Sequence, residues 1–210
     1  GLLMALVKYN NNSISAVTSA ASIPSGALVP IKTLTASSSS TLSFVHGSSD
    51  VVLDSTYPIY VFKFINIHPA TDNVRFQYNG SIDSGSNYNV TKTSTAFYAY
   101  HNESDSDSTL AYSAGGDLAQ GTGFQDIVLS MGNGADENAS GEITLFNPSS
   151  TTFVKHWISR TASYSYQNYA YDWYTAGYMN TTSAVNAVQF KMTSGNIDSG
   201  TIKLYGIKDS

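Results

Sequence analysis

"NVRFQYNG", residues 73–80, alternates without a break: Val74, Phe76 and Tyr78 are apolar or aromatic, and Arg75, Gln77 and Asn79 between them are polar. Successive side chains of a β-strand point to opposite faces, so this period of two predicts a strand with one buried and one wet face. Just upstream, "IYVFKFINI", residues 59–67, is apolar on both phases, with Ile59, Val61, Ile65 and Ile67 on one and Tyr60, Phe62 and Phe64 on the other. A strand of that kind is central and covered on both sides. The second cover is expected to be a partner subunit.

Outward from these two, the same signature recurs in "VPIKTLTA", "TLSFVHG", "TAFYAYHN", "GEITLFNP", "FVKHWISRT", "YDWYTAGYM" and "AVNAVQFKM", each rich in β-branched or aromatic residues and bounded by turn formers. "TASSSSTL", residues 35–42, reads as a polar turn, and "FQDIVLSM", Phe124 to Met131, as one short turn of helix. At the C-terminal end Val188, Phe190 and Met192 alternate with Gln189 and Lys191, and Ile202 and Leu204 with Lys203 and Tyr205. "TSGNIDSG" between them is expected to join two antiparallel strands as a closing hairpin, with Ile202 and Leu204 in the core. Many short strands with turn signals and no amphipathic helix predict an all-β, jelly-roll-like two-sheet sandwich over residues 35–210.

Residues 1–34 are expected to form an extended N-terminal arm, because from Tyr9 to Pro30 the chain is small and polar, without helical or strand periodicity. The arm is expected to attach to a larger assembly or a neighbouring subunit. Met4 opens a plausible start, so Gly1 to Leu3 read as a processing remnant. Leu2 to Val7 is too short for a signal segment, and no stretch has the eighteen or so apolar residues of a membrane helix.

Of 210 residues 41% are apolar, enough for a core, while only 12% are charged. That is about half the usual share, so the surface is built of Ser, Thr, Asn, Gly and Tyr. Ten scattered basic residues and a net charge of −5 speak against nucleic-acid binding. The chain has no cysteine, which removes disulfides and thiolate metal sites.

The candidate chemical sites are weak. "HNESDSDSTLAY" spaces Glu103, Asp105 and Asp107 like a calcium loop, but Leu110 and Gly116 stand where an EF-hand counted from Asp105 needs Gly and Glu. It reads as a solvated loop tip, as does "GNGADENASG" with Asp136 and Glu137. His46, His68, His101 and His156 are far apart, and none has a second ligand at metal spacing on its own strand face. His156, on a face with Val154 and Ile158, is expected to play a hydrogen-bonded structural role. No G-x-S-x-G elbow accompanies the abundant serines. No catalytic residue, cofactor or metal is therefore expected.

The most unusual stretch is "YSYQNYAYDWYTAGY". Tyr164, Tyr166, Tyr169, Tyr171, Trp173 and Tyr174 are the candidates for a subunit or receptor contact, since such rings give large contact area at little entropic cost. A host surface glycan is one candidate ligand for them.

"HPATDNVRFQYNGS", "FNPSSTTFVKHWISRT", "AGYMNTTSAVNAVQFKMTSGNIDSGTIKLYGI" and the opening "MALVKYNNNSISAVTSAA" together resemble virion structural proteins, of tail-fibre or capsid-decoration type, from marine tailed bacteriophages. The likeness runs over nearly the whole chain after Met4. It implies a non-enzymatic protein of the virion surface, a homotrimer by analogy with threefold fibres, with its arm bound to other virion proteins. It brings no catalytic residues with it.

Overall fold

The alternation at residues 73–80 is a strand whose Val74, Phe76 and Tyr78 are buried and whose Arg75 is exposed, but Asn79, expected on the wet face, is fully buried, its amide donating to Tyr88 O and Thr122 O. The structure is a computed structural model and describes residues 28–208. The strands are β1 (Leu28–Thr35), β2 (Leu42–Val45), β3 (Ile59–Pro69), β4 (Val74–Ser81), β5 (Lys92–Asn102) and β6 (Ser108–Tyr112), then β7 (Gln125–Met131), β8 (Ala139–Phe146), β9 (Lys155–Tyr164), β10 (Tyr169–Met179), β11 (Ala187–Met192) and β12 (Ile197–Ile207). They make two antiparallel sheets: β1-β12-β3-β8-β9-β10-β5-β6 and β2-β11-β4-β7.

The two orders have a simple relation. Each strand of the small sheet is the chain neighbour of one strand in the large sheet, β2 of β1, β11 of β12, β4 of β3 and β7 of β8, and the neighbours keep the same order across both sheets. That is a jelly roll of eight strands. The hairpins β5–β6 and β9–β10 are additions to it, inserted after β4 and after β8, and they extend the large sheet past the small one as a four-stranded apron.

The core lies between the sheets. Phe190 of β11 sits at its centre, with Phe62 and Phe64 of β3 at 5.4 and 5.3 Å and Phe76 stacked at 5.8 Å. Ile202 and Leu204 of β12 are buried there as expected, while Lys203 and Tyr205 face the other side. Each such apolar side chain contributes roughly 1.5–3 kcal/mol.

Four further expectations change. Residues 28–34, assigned to the arm, are strand β1, whose register runs from Leu28↔Ile207 to Leu34↔Ile202; the rest of the expected arm, residues 1–27, lies outside the described residues. "FQDIVLSM" is β7 rather than a helical turn, because it pairs with β4 and its Asp126 carboxylate accepts from Arg75 (2.8 Å) and Gln77 (2.6 Å) on that strand. "TSGNIDSG" does not close a hairpin. It carries the chain from β11 in the small sheet to β12 in the large one, and its last residues already belong to β12, with a bulge at Gly200 (φ 115°). Ile67 is buried on the core face instead of sharing the outer face with Ile59, Val61 and Ile65, because β3 slips register between Phe64 and Ile67 and Asn66 takes φ 51°.

Candidate functional site

The six aromatic candidates all lie on the apron, in β9, β10 and the turn between them, and the strand period divides them. Tyr169, Tyr171 and Trp173 point to the inner face of the large sheet, and Tyr164 and Tyr174 to the outer face; Tyr166 lies in the turn, its N–H donating to Ser130 O at 3.3 Å. They do not form one surface.

On the inner face the three join Tyr98 and Tyr100 of β5, two residues not singled out from the sequence. Their signal was present in "TAFYAYHN", where the tyrosines occupy one phase, but only the pairing Tyr98↔Trp173 and Tyr100↔Tyr171 reveals that the two rows meet. The rings stack on one another: Tyr100 on Tyr169 at 4.9 Å and 14°, Tyr171 on Trp173 at 5.6 Å and 14°, Tyr98 against Trp173 at 4.7 Å. Asp107, from the turn between β5 and β6, accepts from the hydroxyls of Tyr100 and Tyr169, both at 3.2 Å. Burial, then the neighbouring tyrosines, push the Tyr171 hydroxyl up to about 12, and burial followed by Asp107 raises Tyr100 and Tyr169. Ring faces used on each other are closed to a stacking sugar. The ladder ties β5 to β10.

On the outer face Tyr174 stacks flat on Phe97 of β5 (4.7 Å, 4°), and its other side lies under the Arg160 guanidinium at 4.9 Å. Arg160 grips Asp172 with two hydrogen bonds of 3.1 and 2.7 Å, and the carboxylate raises the guanidinium's pKa. Next to this row lies a groove of about 460 Å³ with Ala176 in its floor and Phe146, His156, Ile158 and Tyr178 around it. His156, expected to play a hydrogen-bonded structural role, is exposed at the groove, its ring 6.3 Å from that of Tyr178.

At the apron's tip the β5–β6 and β9–β10 turns meet, Glu103 N–H donating to Asn168 O at 3.2 Å. Between them is a polar pocket of about 340 Å³ lined by Asn102, Glu103, Ser104, Gln167 and Asn168. Tyr164 donates to Asn168 Oδ1 at 3.0 Å from beside it. The acidic loop expected here is indeed a turn between strands, and its carboxylates are engaged: Asp107 by the two tyrosines, Asp105 by His101 at 3.0 Å. Of the other histidines, His46 Nδ1 accepts from Leu53 N–H at 3.2 Å and His68 Nδ1 lies 2.6 Å from Glu137 O. Among the described residues no three His, Asp or Glu side chains converge on a metal-sized site.

The chain matches no protein-family description, no curated protein and no solved structure among those compared.

Proposed function

We propose that this chain is a non-enzymatic structural protein of a tailed-phage particle, a tail-fibre or adhesin component on the virion surface that works as a homo-oligomer. The observation that carries it is the apron: two hairpins added to a jelly roll, held rigid by a ladder of stacked rings, with an exposed apolar outer face and a polar tip. Rigid aromatic-backed surfaces with few charges suit macromolecular contact. The resemblance of "HPATDNVRFQYNGS" and of the C-terminal segment to virion proteins supplies the setting. Residues 1–27 precede an edge strand, which is where an attachment segment would leave the domain.

The tip favours a sugar as the host ligand. Its amides, carboxylate and hydroxyl offer donors and acceptors in a space of monosaccharide size, beside Tyr164. Immunogold labelling of purified particles tests the reading. Label on tail fibres supports it, label on the head assigns the chain to capsid decoration, and unlabelled particles overturn it. A glycan array probed with the purified protein tests the tip, where Gln167→Ala and Asn168→Ala together are expected to lower binding at least tenfold.

A further inference from the structure

Eight large hydrophobic side chains are exposed among the described residues, and six of them, Leu28, Ile65, Phe97, Leu110, Tyr112 and Ile158, share the outer face of the large sheet. Only Ile82 and Phe153 lie elsewhere. Four of the six crowd onto the apron, at exposures of 74% for Leu110, 56% for Tyr112, 55% for Ile158 and 42% for Phe97. An antiparallel sheet with one face to water normally carries polar residues there, so this face is built for a cover.

We propose that the cover is the same face of a second copy, packed about a two-fold axis near Phe97, with Leu110 of each copy seated in the other's groove. The positions fit. Register places Leu110 of β6 opposite Ala99 and Asp172, two strands and four residues from Ala176 in the groove floor. At about 4.8 Å per strand and 3.4 Å per residue they are roughly 17 Å apart. The midpoint between Leu110 and the groove falls at Phe97, so one rotation satisfies both contacts, as an isologous interface requires.

Charge also selects a copy of this chain. On this face Lys63 pairs with Glu142 at 2.8 Å and Arg160 with Asp172 at 2.7 Å. Lys203 of β12 and Asp117, which accepts from the Tyr112 hydroxyl, add one charge of each sign, so the face stays close to neutral, two copies meet here without strong repulsion, and neither a basic nor an acidic partner is favoured. Three strands of about 27 Å and the five-residue β6 overlapping on each side bury on the order of 1,000 Å² in total, the lower bound of a specific interface. A modest, concentration-dependent dimer is expected.

The proposal rests on the preceding reading only in treating the apron as a contact surface. A chain missing from particles that still dimerises through this face would overturn that reading and keep this one. The full chain should show a dimer mass by light scattering, and Leu110→Lys or Ile158→Lys, both at exposed positions, should give folded monomers by circular dichroism. Because the chain has no cysteine, the double variant Leu110→Cys, Ala176→Cys gives a direct reading: at roughly 17 Å within one copy the pair cannot bridge, so an oxidised dimer band on a non-reducing gel that neither single-cysteine variant gives requires the proposed contact. A wild type that stays monomeric across a 100-fold concentration range, a trimer, a dimer indifferent to both lysine variants, a dimer lost only when residues 1–27 are deleted, or the absence of the disulfide band would each overturn it.

Discussion

Two buried polar side chains of the core carry opposite messages about stability. The Tyr78 hydroxyl is buried with no hydrogen-bond partner, and its ring packs on Trp157 at 5.1 Å. Tyr78→Phe keeps the ring and removes the unmet group, so the variant is expected to be more stable by about 1 kcal/mol in urea unfolding. Lys92 is fully buried, its Nζ donating to Asn79 Oδ1 at 2.5 Å and Val90 O at 2.8 Å, and burial lowers its pKa to about 7. Below pH 7 the amine is charged in both folded and unfolded states, and the full cost of burying that charge is present. Between about 7 and the unfolded value near 10.5 the folded protein sheds its proton first, so stability rises with pH. The stability difference between wild type and Lys92→Met is expected to shift in favour of wild type across that window, by several kcal/mol. A difference that stays constant from pH 7 to 10 would show that Lys92 does not titrate as described. Nothing in the sequence sets either residue apart: Tyr78 reads only as a core position, and Lys92 precedes the stretch "TAFYAYHN" that reads as a strand.

Strands were legible wherever alternation ran unbroken, as at Val74 to Tyr78, and illegible where polar groups are buried in pairs. Gln125 and Asp126 lie in the stretch read as a helical turn, yet they are buried in β7, because β4 presents Arg75 and Gln77 to Asp126, while Gln125 accepts from Ser94 Oγ and donates to Gly116 O. Bulges defeat periodicity in another way, since one inserted residue turns the following side chains over; Ile67 moves to the core for that reason. The aromatic candidates were found, but as a run of chain rather than as two faces, and their partners Tyr98 and Tyr100 come from a strand some seventy residues away in sequence. The final strand is constrained more tightly than its turn-like glycines suggest. A Cβ at Gly206 would overlap the Tyr57 ring, which packs edge-on against Tyr60 at 5.7 Å. Gly206→Ala is therefore expected to destabilise by about 1–3 kcal/mol, seen as a lower midpoint in thermal unfolding. An unchanged midpoint would mean that the loop carrying Tyr57 yields freely.

At the scale of the whole molecule, the sandwich was predictable and the strand order was not, because the pairings that define a jelly roll are made between the ends of the chain. β12 lies between β1 and β3, holding Leu28–Thr35 on one side and Ile59–Pro69 on the other. Removing residues 197–210 would take away the partner of both strands and three core side chains, Ile197, Ile202 and Leu204, that are almost completely buried. The apron, in contrast, is assembled from two local hairpins and joins the large sheet of the roll through β8, with further bonds from β9 and the β9–β10 turn to β7. Loop closure between distant segments is slow and must precede the burial that rewards it. The chain ending at residue 196 is therefore expected to lack cooperative unfolding and near-ultraviolet dichroism, because its core cannot close, even though every apron residue is present. Refolding of the full chain from urea should be slow, in the millisecond-to-second range of non-local β folds, and Ile202→Val should change its unfolding rate more than Leu110→Lys does. A cooperative, fully folded 196-residue chain would show that the apron and β3 suffice to hold the sandwich, and that the closing strand is peripheral to it.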